Sequence, residues 1–273
     1  MVCEDEGMER MDAKAVAEQL RADIHEGRFA PGETLPNTEQ LRERFGVGKN
    51  VVSAAVQTLK GEGLLAPGGR GQPVRVRVVP QKLTRSNINY QAEKDLVKEP
   101  EDVRRRHGSA ERDAKVEIAA VNDDKVTYEV VPPPDEVAKI MGLASSDYVL
   151  RRTYLRQYRE GEGYSRMVSY LPYSLVKDHP PLLDSSNEPW PGGTLHQLYT
   201  AGVEVGKIED RVSARMPTEE EVALYDIPFN VPVIPILKIS YDTSGRAVDV
   251  AELLTPADRI SLSYTTELRK WDE

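Results

Sequence analysis

The clearest pattern along the chain is a helical alternation of apolar and polar positions between residues 47 and 59. The apolar positions recur at i, i+3, i+4 and i+7, the spacing of one buried helix face; they are Val52, Ala55, Val56 and Leu59. The positions between them carry hydrogen-bonding groups and one cation, namely Lys49, Asn50, Ser53 and Gln57. The pattern predicts an amphipathic helix over Val47–Leu59 whose polar face stays outside the core.

Two further helices are predicted before this one. Residues Ala13–Glu26 carry an apolar stripe and stop at Gly27. Asn37 and Gln40 have the spacing of a capping box, which predicts a helix start. That helix ends at Gly46, because glycine tolerates the left-handed backbone at a helix C-terminus.

Two short β-like segments follow, Leu64–Ala66 and Val74–Val78, with the glycine-rich loop Pro67–Gly71 between them. Alternation in the second segment predicts that Arg75 and Arg77 point outward between the valines. The order helix, tight turn, helix and hairpin loop is that of a winged helix-turn-helix.

The period of the pattern changes to two from Lys115 onward, which is typical of strands. The predicted strands are Val116–Val121, Val126–Val131, Val149–Tyr158, Tyr164–Leu171, Val205–Met216, Pro232–Tyr241, Val248–Leu254 and Ser261–Leu268. Hairpin turns are predicted at Asn122–Asp124 and Glu160–Gly163. Short reversals with few crossover helices indicate an antiparallel sheet in an α+β domain.

Helices are also predicted within this second region. Pro133–Leu143 has the length of a short helix, and two capping boxes, Thr194 with Gln197 and Thr218 with Glu221, predict two further helix starts.

A polar, highly charged stretch separates the two regions, and its composition predicts an interdomain linker. The predicted organisation is a winged helix-turn-helix over residues 8–79, a linker over 80–114 and an α+β domain over 115–270.

Charge and composition narrow the class of protein. Residues 1–80 hold 11 Lys and Arg against 12 Asp and Glu, whereas residues 81–273 hold 25 against 33, so the net charge of −9 comes mostly from the second region. The single cysteine, Cys3, forms no internal disulfide, and neither a membrane-length apolar run nor a secretory signal is present. These features predict a cytoplasmic protein without membrane partners.

The first region resembles the DNA-binding domain of the GntR family. The resemblance rests on these segments: Pro31-Gly32, Leu35-Pro36, Phe45-Gly46-Val47, Glu62-Gly63-Leu64 and Gly69–Gly71. The chain departs from the family at Gln40 and at Gly48-Lys49-Asn50, where the family usually has arginine and Ser-Arg-Thr. The operator sequence therefore does not carry over.

The resemblance implies a homodimer that binds an inverted repeat in double-stranded operator DNA. The implied DNA-binding residues are Thr38, Gln40, Lys49, Asn50, Ser53, Arg70 and Gly71. Lys49 and Asn50 are candidates for base or phosphate contacts, and Gln40 and Arg70 for the phosphate backbone. Gly71 would let the wing approach the minor groove.

The second region resembles the UTRA effector-binding domain of the HutC subfamily, whose fold is like that of chorismate lyase. The resemblance spans Lys115–Leu268 and rests on weak motifs in a consistent order, among them Val149–Arg152, Ser169–Pro172, Ser213–Glu221 and Asp258-Arg259.

This resemblance implies a small-molecule effector site. Its candidate residues are Arg152, Tyr154, Arg156, Arg166, Ser169, Asp249 and Arg259. Arg156 and Ser169 retain the residue type of the family, whereas Tyr154 and Arg166 do not. This disfavours a phosphosugar and favours a polar small molecule with at least one negative group.

Two other classes of protein remain as alternatives. A lyase-like enzyme is one, because the fold of the second region is shared with a lyase; the four scattered histidines and the lack of nucleophile or phosphate-loop motifs predict no catalytic site, metal or cofactor. The other is a constitutive or plasmid-maintenance DNA-binding repressor without an effector. The hypothesis favoured by the sequence is an effector-responsive repressor, although the sequence does not separate repression from activation.

Overall fold

The computed structural model of the chain describes residues 11–66, 73–78, 82–106, 123–157, 165–269 and 271. They form two compact units. The first unit contains the described residues up to 78 together with Met216–Val231, and the second contains those from 82 to 215 and from 232 onward.

Three helices form most of the first unit: α1 (Ala13–His25), α2 (Thr38–Phe45) and α3 (Lys49–Gly61). Their apolar faces share one buried cluster, which includes Leu20, Leu41, Val52, Ala55 and Leu59. The helical periodicity of the sequence therefore predicted the core of this unit correctly.

The helix ends follow the predicted local chemistry. Asn37 and Gln40 form the capping box of α2, and Gly46 ends that helix with a φ of 63°. Helix α3 begins two residues later than predicted, with Gly48 as its N-cap. Lys49 and Asn50 consequently lie in the first turn of α3.

Three backbone segments pair beside these helices. Gly32 and Leu35 donate to the carbonyls of Val76 and Val74, and Ala66 donates to the carbonyl of Arg75. The loop predicted between residues 67 and 71, including Arg70 and Gly71, lies outside the described residues.

The predicted outward alternation of the two arginines is only half correct. Arg75 is exposed, but Arg77 is only 8% exposed and Val78 is 59% exposed. Arg77 Nη1 lies 3.8 Å from the position that a Cβ on Gly63 would take, so its guanidinium packs against the chain after α3.

The second unit is built on a six-stranded sheet with the order β2-β3-β4-β7-β6-β5, in which every neighbouring pair is antiparallel. β1 and β8 form a separate pair outside this sheet. The strands are β1 (Leu83–Ser86), β2 (Asp123–Val131), β3 (Val149–Gln157), β4 (Ser165–Pro172), β5 (Val205–Val212), β6 (Val233–Asp242), β7 (Ala247–Pro256) and β8 (Ile260–Ser263). The predicted antiparallel α+β architecture is confirmed.

Helices cover both faces of this sheet. Those of the second unit are α4 (Ile88–Leu96), α5 (Glu101–Arg106), α6 (Asp135–Met141), α7 (Tyr173–Val176) and α8 (Gly193–Thr200). On one face, Val137 of α6 packs with Val149 and Val250. On the other face, Leu198 of α8 packs with Leu150.

Part of the expected linker is built into the second unit. β1 pairs in parallel with β8, and α4 follows it directly and contacts α8. The last predicted strand is shorter than expected, because it ends at Ser263. The predicted strand Val116–Val121 and Asn122 lie outside the described residues, and Asp123 begins β2 instead of lying in a turn.

The segment Met216–Val231, here called the inserted segment, leaves the sheet after β5 and returns to it at β6. Mutual backbone hydrogen bonds between Arg215 and Val233 close its base. It contains α9 (Glu219–Tyr225), which has the predicted capping box of Thr218 and Glu221. The segment belongs to the first unit, whereas the sequence pattern placed it in the α+β domain predicted for residues 115–270.

The inserted segment is well packed within the first unit. Tyr225 and Ile227 are 0% exposed, and a Cβ on Gly63 would lie 3.8 Å from Val231 Cγ2 and 4.0 Å from Pro228 Cγ. No helix in the described part of the chain is both long enough and apolar enough to span a membrane.

We predict that Ile227→Ala destabilises the first unit by about 2–5 kcal/mol, because it leaves a cavity at a fully buried site. The matched control is Phe229→Ala in the same segment, where the side chain is 57% exposed and the expected change is below about 0.5 kcal/mol. Hydrogen exchange should show the loss of protection in α1, α2 and α3. Unchanged protection there would contradict the assignment of the segment to this unit.

Candidate functional site

The polar face of α3 is exposed as predicted. Lys49, Asn50, Ser53 and Gln57 all lie on the surface, while Val52 and Leu59 are 1% and 0% exposed. Because Gly48 has no side chain to cap the helix, the first backbone N–H groups of α3 need outside acceptors. A helix N-terminus of this kind, with a lysine in its first turn, suits a phosphate group.

The start of α2 contributes two more exposed residues, Thr38 and Gln40. Gln40 Oε1 accepts a hydrogen bond from Asn37 N at 2.9 Å, so its Nε2 group is the one suited to donate to a phosphate. The arginines of α2 are already paired: Arg42 with Glu39 at 2.8 Å and Arg44 with the buried Asp23 at 2.5 Å. The DNA-facing candidates with described coordinates are therefore Thr38, Gln40, Lys49, Asn50 and Ser53.

The second unit contains a buried polar cluster centred on Arg152, which is 0% exposed. The cluster comprises Tyr128, Arg152, Tyr154, Ser169, Glu188, Thr194, Gln197 and Asp249. The register places Arg152 opposite Tyr128 and Ser169, and Ser169 is opposite Ala251, two residues from Asp249. Side chains from β2, β3, β4 and β7, all on the same face of the sheet, thus converge beneath α8.

The two Nη groups of Arg152 bond neutral and acidic partners, whereas its buried Nε has no hydrogen-bond partner among the described residues. Its guanidinium donates to Gln197 Oε1, Ser169 Oγ and Thr194 Oγ1, and it lies 3.5 Å from Asp249 Oδ1. Asp249 also accepts from Ser169 Oγ at 2.6 Å. A buried charge needs such pairing, because its desolvation is costly.

Asp249 connects the cluster to the next strand. Ser240 on β6 donates to its Oδ2 at 3.4 Å, and Lys238 Nζ lies 3.5 Å from the same oxygen. Asp249 on β7 therefore contacts side chains from three other strands, β3, β4 and β6.

Glu188 is the acidic group at the other end of the cluster. Its Oε1 accepts from the phenols of Tyr128 and Tyr154 and from Gln197 Nε2, and its Oε2 accepts from Trp190 N at 2.8 Å. Burial acts to raise the pKa of Glu188, but these hydrogen bonds and the charge of Arg152 outweigh it, so the pKa lies below its ordinary value. Burial raises the pKa of Tyr128 and Tyr154, so both phenols remain neutral donors.

The structure brings together four of the predicted effector residues, Arg152, Tyr154, Ser169 and Asp249. Arg156 lies at the edge of this group, with its guanidinium carbon 5.1 Å from the centre of the Tyr154 ring.

Two predicted residues lie elsewhere. Arg166 is opposite Leu155 in the register, so it lies on the other face of the sheet from Arg152 and Tyr154. Arg259 follows the end of β7, and Pro256 is already seven residues beyond Asp249, or about 23 Å along a strand. Both residues therefore lie outside this cluster.

Sequence reasoning missed Tyr128, Glu188, Thr194, Gln197 and Lys238. Thr194 and Gln197 were interpreted as a capping box, which was also wrong. The N-cap of α8 is Gly192, in the left-handed region with a φ of 88°, and the two polar side chains bond Arg152. A capping motif is a local signal, whereas this bonding depends on a residue more than forty positions away.

A cavity of about 430 Å³ lies between α4 and α8. It is lined by Lys94, Asp95, Val97, Lys98, Leu195, Tyr199, Gly202, Val203, Glu204 and Val205. Lys94 and Glu204 pair at 2.9 Å, which leaves an otherwise largely apolar wall. Within the described residues, no group of three or more His, Cys, Asp or Glu is arranged to hold a metal ion.

Two family models match the chain, and the one that matches mainly the second unit also includes the inserted segment. The model described as the UTRA domain matches residues 124–261, and the model described as bacterial regulatory proteins of the gntR family matches residues 12–71. The UTRA match alone covers half of the chain. These are families of transcriptional regulators, not enzymes.

Individual relatives cover nearly the whole chain. The uncharacterized HTH-type transcriptional regulator SCO4628 of Streptomyces coelicolor is 26% identical over 92% of this chain and 91% of its own. The HTH-type transcriptional repressor NagR of Bacillus subtilis is 22% identical over 91% of this chain and 92% of its own.

A crystal structure assigned to a GntR-family transcriptional regulator shares the fold, with a TM-score of 0.58 and 23% identity over 96% of this chain and 99% of that one. With an exposed polar helix in the first unit and the UTRA match over the second, this chain belongs to the GntR family and is a transcriptional regulator that carries a UTRA domain.

Proposed function

We propose that the protein is a cytoplasmic one-component repressor of the HutC subfamily, which binds operator DNA as a homodimer and is released by a small polar effector carrying a negative group. The observation that carries this proposal is the presence, in one chain, of a helix-turn-helix with an exposed polar face and a sheet domain with a buried polar cluster. The similarity to the transcriptional repressor NagR supports repression as the direction of control.

The DNA contact is assigned to the first turn of α3. Lys49 supplies a cation, Asn50 supplies paired donors and acceptors suited to an adenine edge, and the free backbone N–H groups suit a phosphate. In a two-fold dimer, two such helices bind two half-sites, so the operator is an inverted repeat.

The effector is assigned to the polar cluster. Its hydroxyl, amide, guanidinium and carboxylate groups offer both donors and acceptors within a small volume, as a polar ligand requires. Binding changes operator affinity only if it favours one state of the chain, with a coupling free energy of typically about 1–3 kcal/mol.

The inserted segment offers a covalent route for this coupling. Lys238 and Ser240, which contact Asp249, lie on β6, and β6 continues directly from the inserted segment. A displacement of β6 on effector binding is therefore carried by the backbone into a segment packed within the first unit.

A regulator without an effector is the second candidate, and one observation favours it. The cluster is bonded internally, because Arg152, Asp249 and Glu188 each have protein partners. This candidate would be supported if no metabolite of the pathways encoded beside this gene changed the melting temperature of the protein.

We predict that Lys49→Ala weakens operator binding and lowers the slope of log K against log salt by about 0.9, because one phosphate contact is lost. The control is Lys139→Ala, which removes an exposed lysine from α6 in the second unit and should leave the slope unchanged. Fluorescence anisotropy over a salt series measures both variants. An unchanged slope for Lys49→Ala would show that Lys49 does not contact a phosphate.

We also predict that Arg156→Ala retains operator affinity but loses release by the effector. Arg166→Ala is the matched control, because it removes the same charge from the paired strand on the opposite face. The assay is a gel shift on the DNA upstream of the coding region with metabolites of the neighbouring pathways. Loss of release in Arg166→Ala, with Arg156→Ala fully responsive, would place the effector on the other face of the sheet.

A further inference from the structure

Resting on the proposed function, the geometry points to a specific class of effector and to how its site is kept closed. We propose that the Glu188 carboxylate occupies the position of the effector's own anionic group, and that the effector is a small monocarboxylate that displaces Glu188 from Tyr128, Tyr154 and Gln197.

The donors around Glu188 are arranged as in an anion site. One oxygen, Oε1, takes two phenol hydroxyls and one amide, and these come from β2, β3 and α8. Three side chains from three elements therefore converge on a single carboxylate oxygen. A ligand carboxylate makes the same bonds without any change in the donors, and it is a better match than a hydroxyl, since hydrogen bonds to ionised acceptors are the stronger ones.

Glu188 is the member of the cluster that can leave. It lies in the covering segment, Lys177–Gly192, which connects α7 to α8 through two short 3-10 turns. Its neighbours Asn187 and Pro189 are exposed, and Glu188 is itself only partly buried. Arg152 and Asp249, in contrast, are 0% exposed on central strands, so their displacement would require the sheet to open.

Charge balance selects a monocarboxylate. The ionised groups that lie within the cluster or directly against it are Arg152 and Lys238 on one side and Asp249 and Glu188 on the other, while Arg156 is partly exposed at its edge. The adjacent Arg85 and Asp210 lie 3.6 Å apart and balance each other. Withdrawal of Glu188 leaves one uncompensated positive charge, which a monoanion neutralises, whereas a dianionic phosphate adds an excess negative charge near Asp249 and a neutral ligand leaves the charge unpaired.

The test uses acetate as the probe and the full-length chain. Glu188→Ala removes the internal carboxylate, so acetate should restore the missing interactions and raise the melting midpoint saturably, by about 3–6 °C at ten times its dissociation constant. Chloride at the same ionic strength should not. Wild type and Glu188→Gln should both respond at least tenfold more weakly to acetate. In wild type Glu188 competes with acetate, and in Glu188→Gln an amide fills the position.

If Glu188→Ala does not fold, Glu188→Asp keeps the charge and withdraws it by one methylene, and it should show an acetate response above that of wild type. A folded Glu188→Ala or Glu188→Asp chain without any acetate-specific stabilisation would overturn the proposal and leave Glu188 as a structural group. Operator binding measured on the same samples separates the two hypotheses. Absence of operator binding in wild type would contradict the proposed function, whereas stabilisation of Glu188→Ala by acetate would still support a carboxylate site at this position.

Discussion

The arrangement of the second unit depends on the burial of one positive charge, that of Arg152. A guanidinium without solvent is costly unless most of its donors are bonded and its charge is compensated. That requirement accounts for Ser169 on the neighbouring strand β4, Asp249 on the next strand β7, and Thr194 and Gln197 on the helix above. The sheet and its cover are thereby joined through polar bonds as well as apolar contacts, and a ligand that changes these bonds acts on both layers.

Features with a local cause were predictable from the sequence. The helices of the first unit, the capping boxes at Asn37 and Thr218, and the antiparallel hairpins follow from periodicity and short-range hydrogen bonding. The face shared by Arg152 and Tyr154 followed from strand alternation alone. Such signals act over a few residues, and at these positions no tertiary contact in the described part of the chain opposes them.

The failures share a long-range cause. Thr194 and Gln197 satisfy the capping spacing, but bonds to Arg152 outweigh that local preference. Arg77 fits an outward alternation, yet its guanidinium lies beside Gly63, where Val231 also packs. Glu188 carries no sequence signal at all, because its role depends on donors from three separate elements. Sequence periodicity has no access to these contacts.

The central claim is that one chain couples a ligand site in its sheet to a DNA-binding surface on α3, and thermodynamic linkage gives it a direct test. Effector affinity should be measured by calorimetry with and without saturating operator DNA. The coupled account predicts that operator lowers effector affinity by the same factor by which effector lowers operator affinity, within about 5- to 150-fold. Equal effector affinities in the two titrations would contradict it.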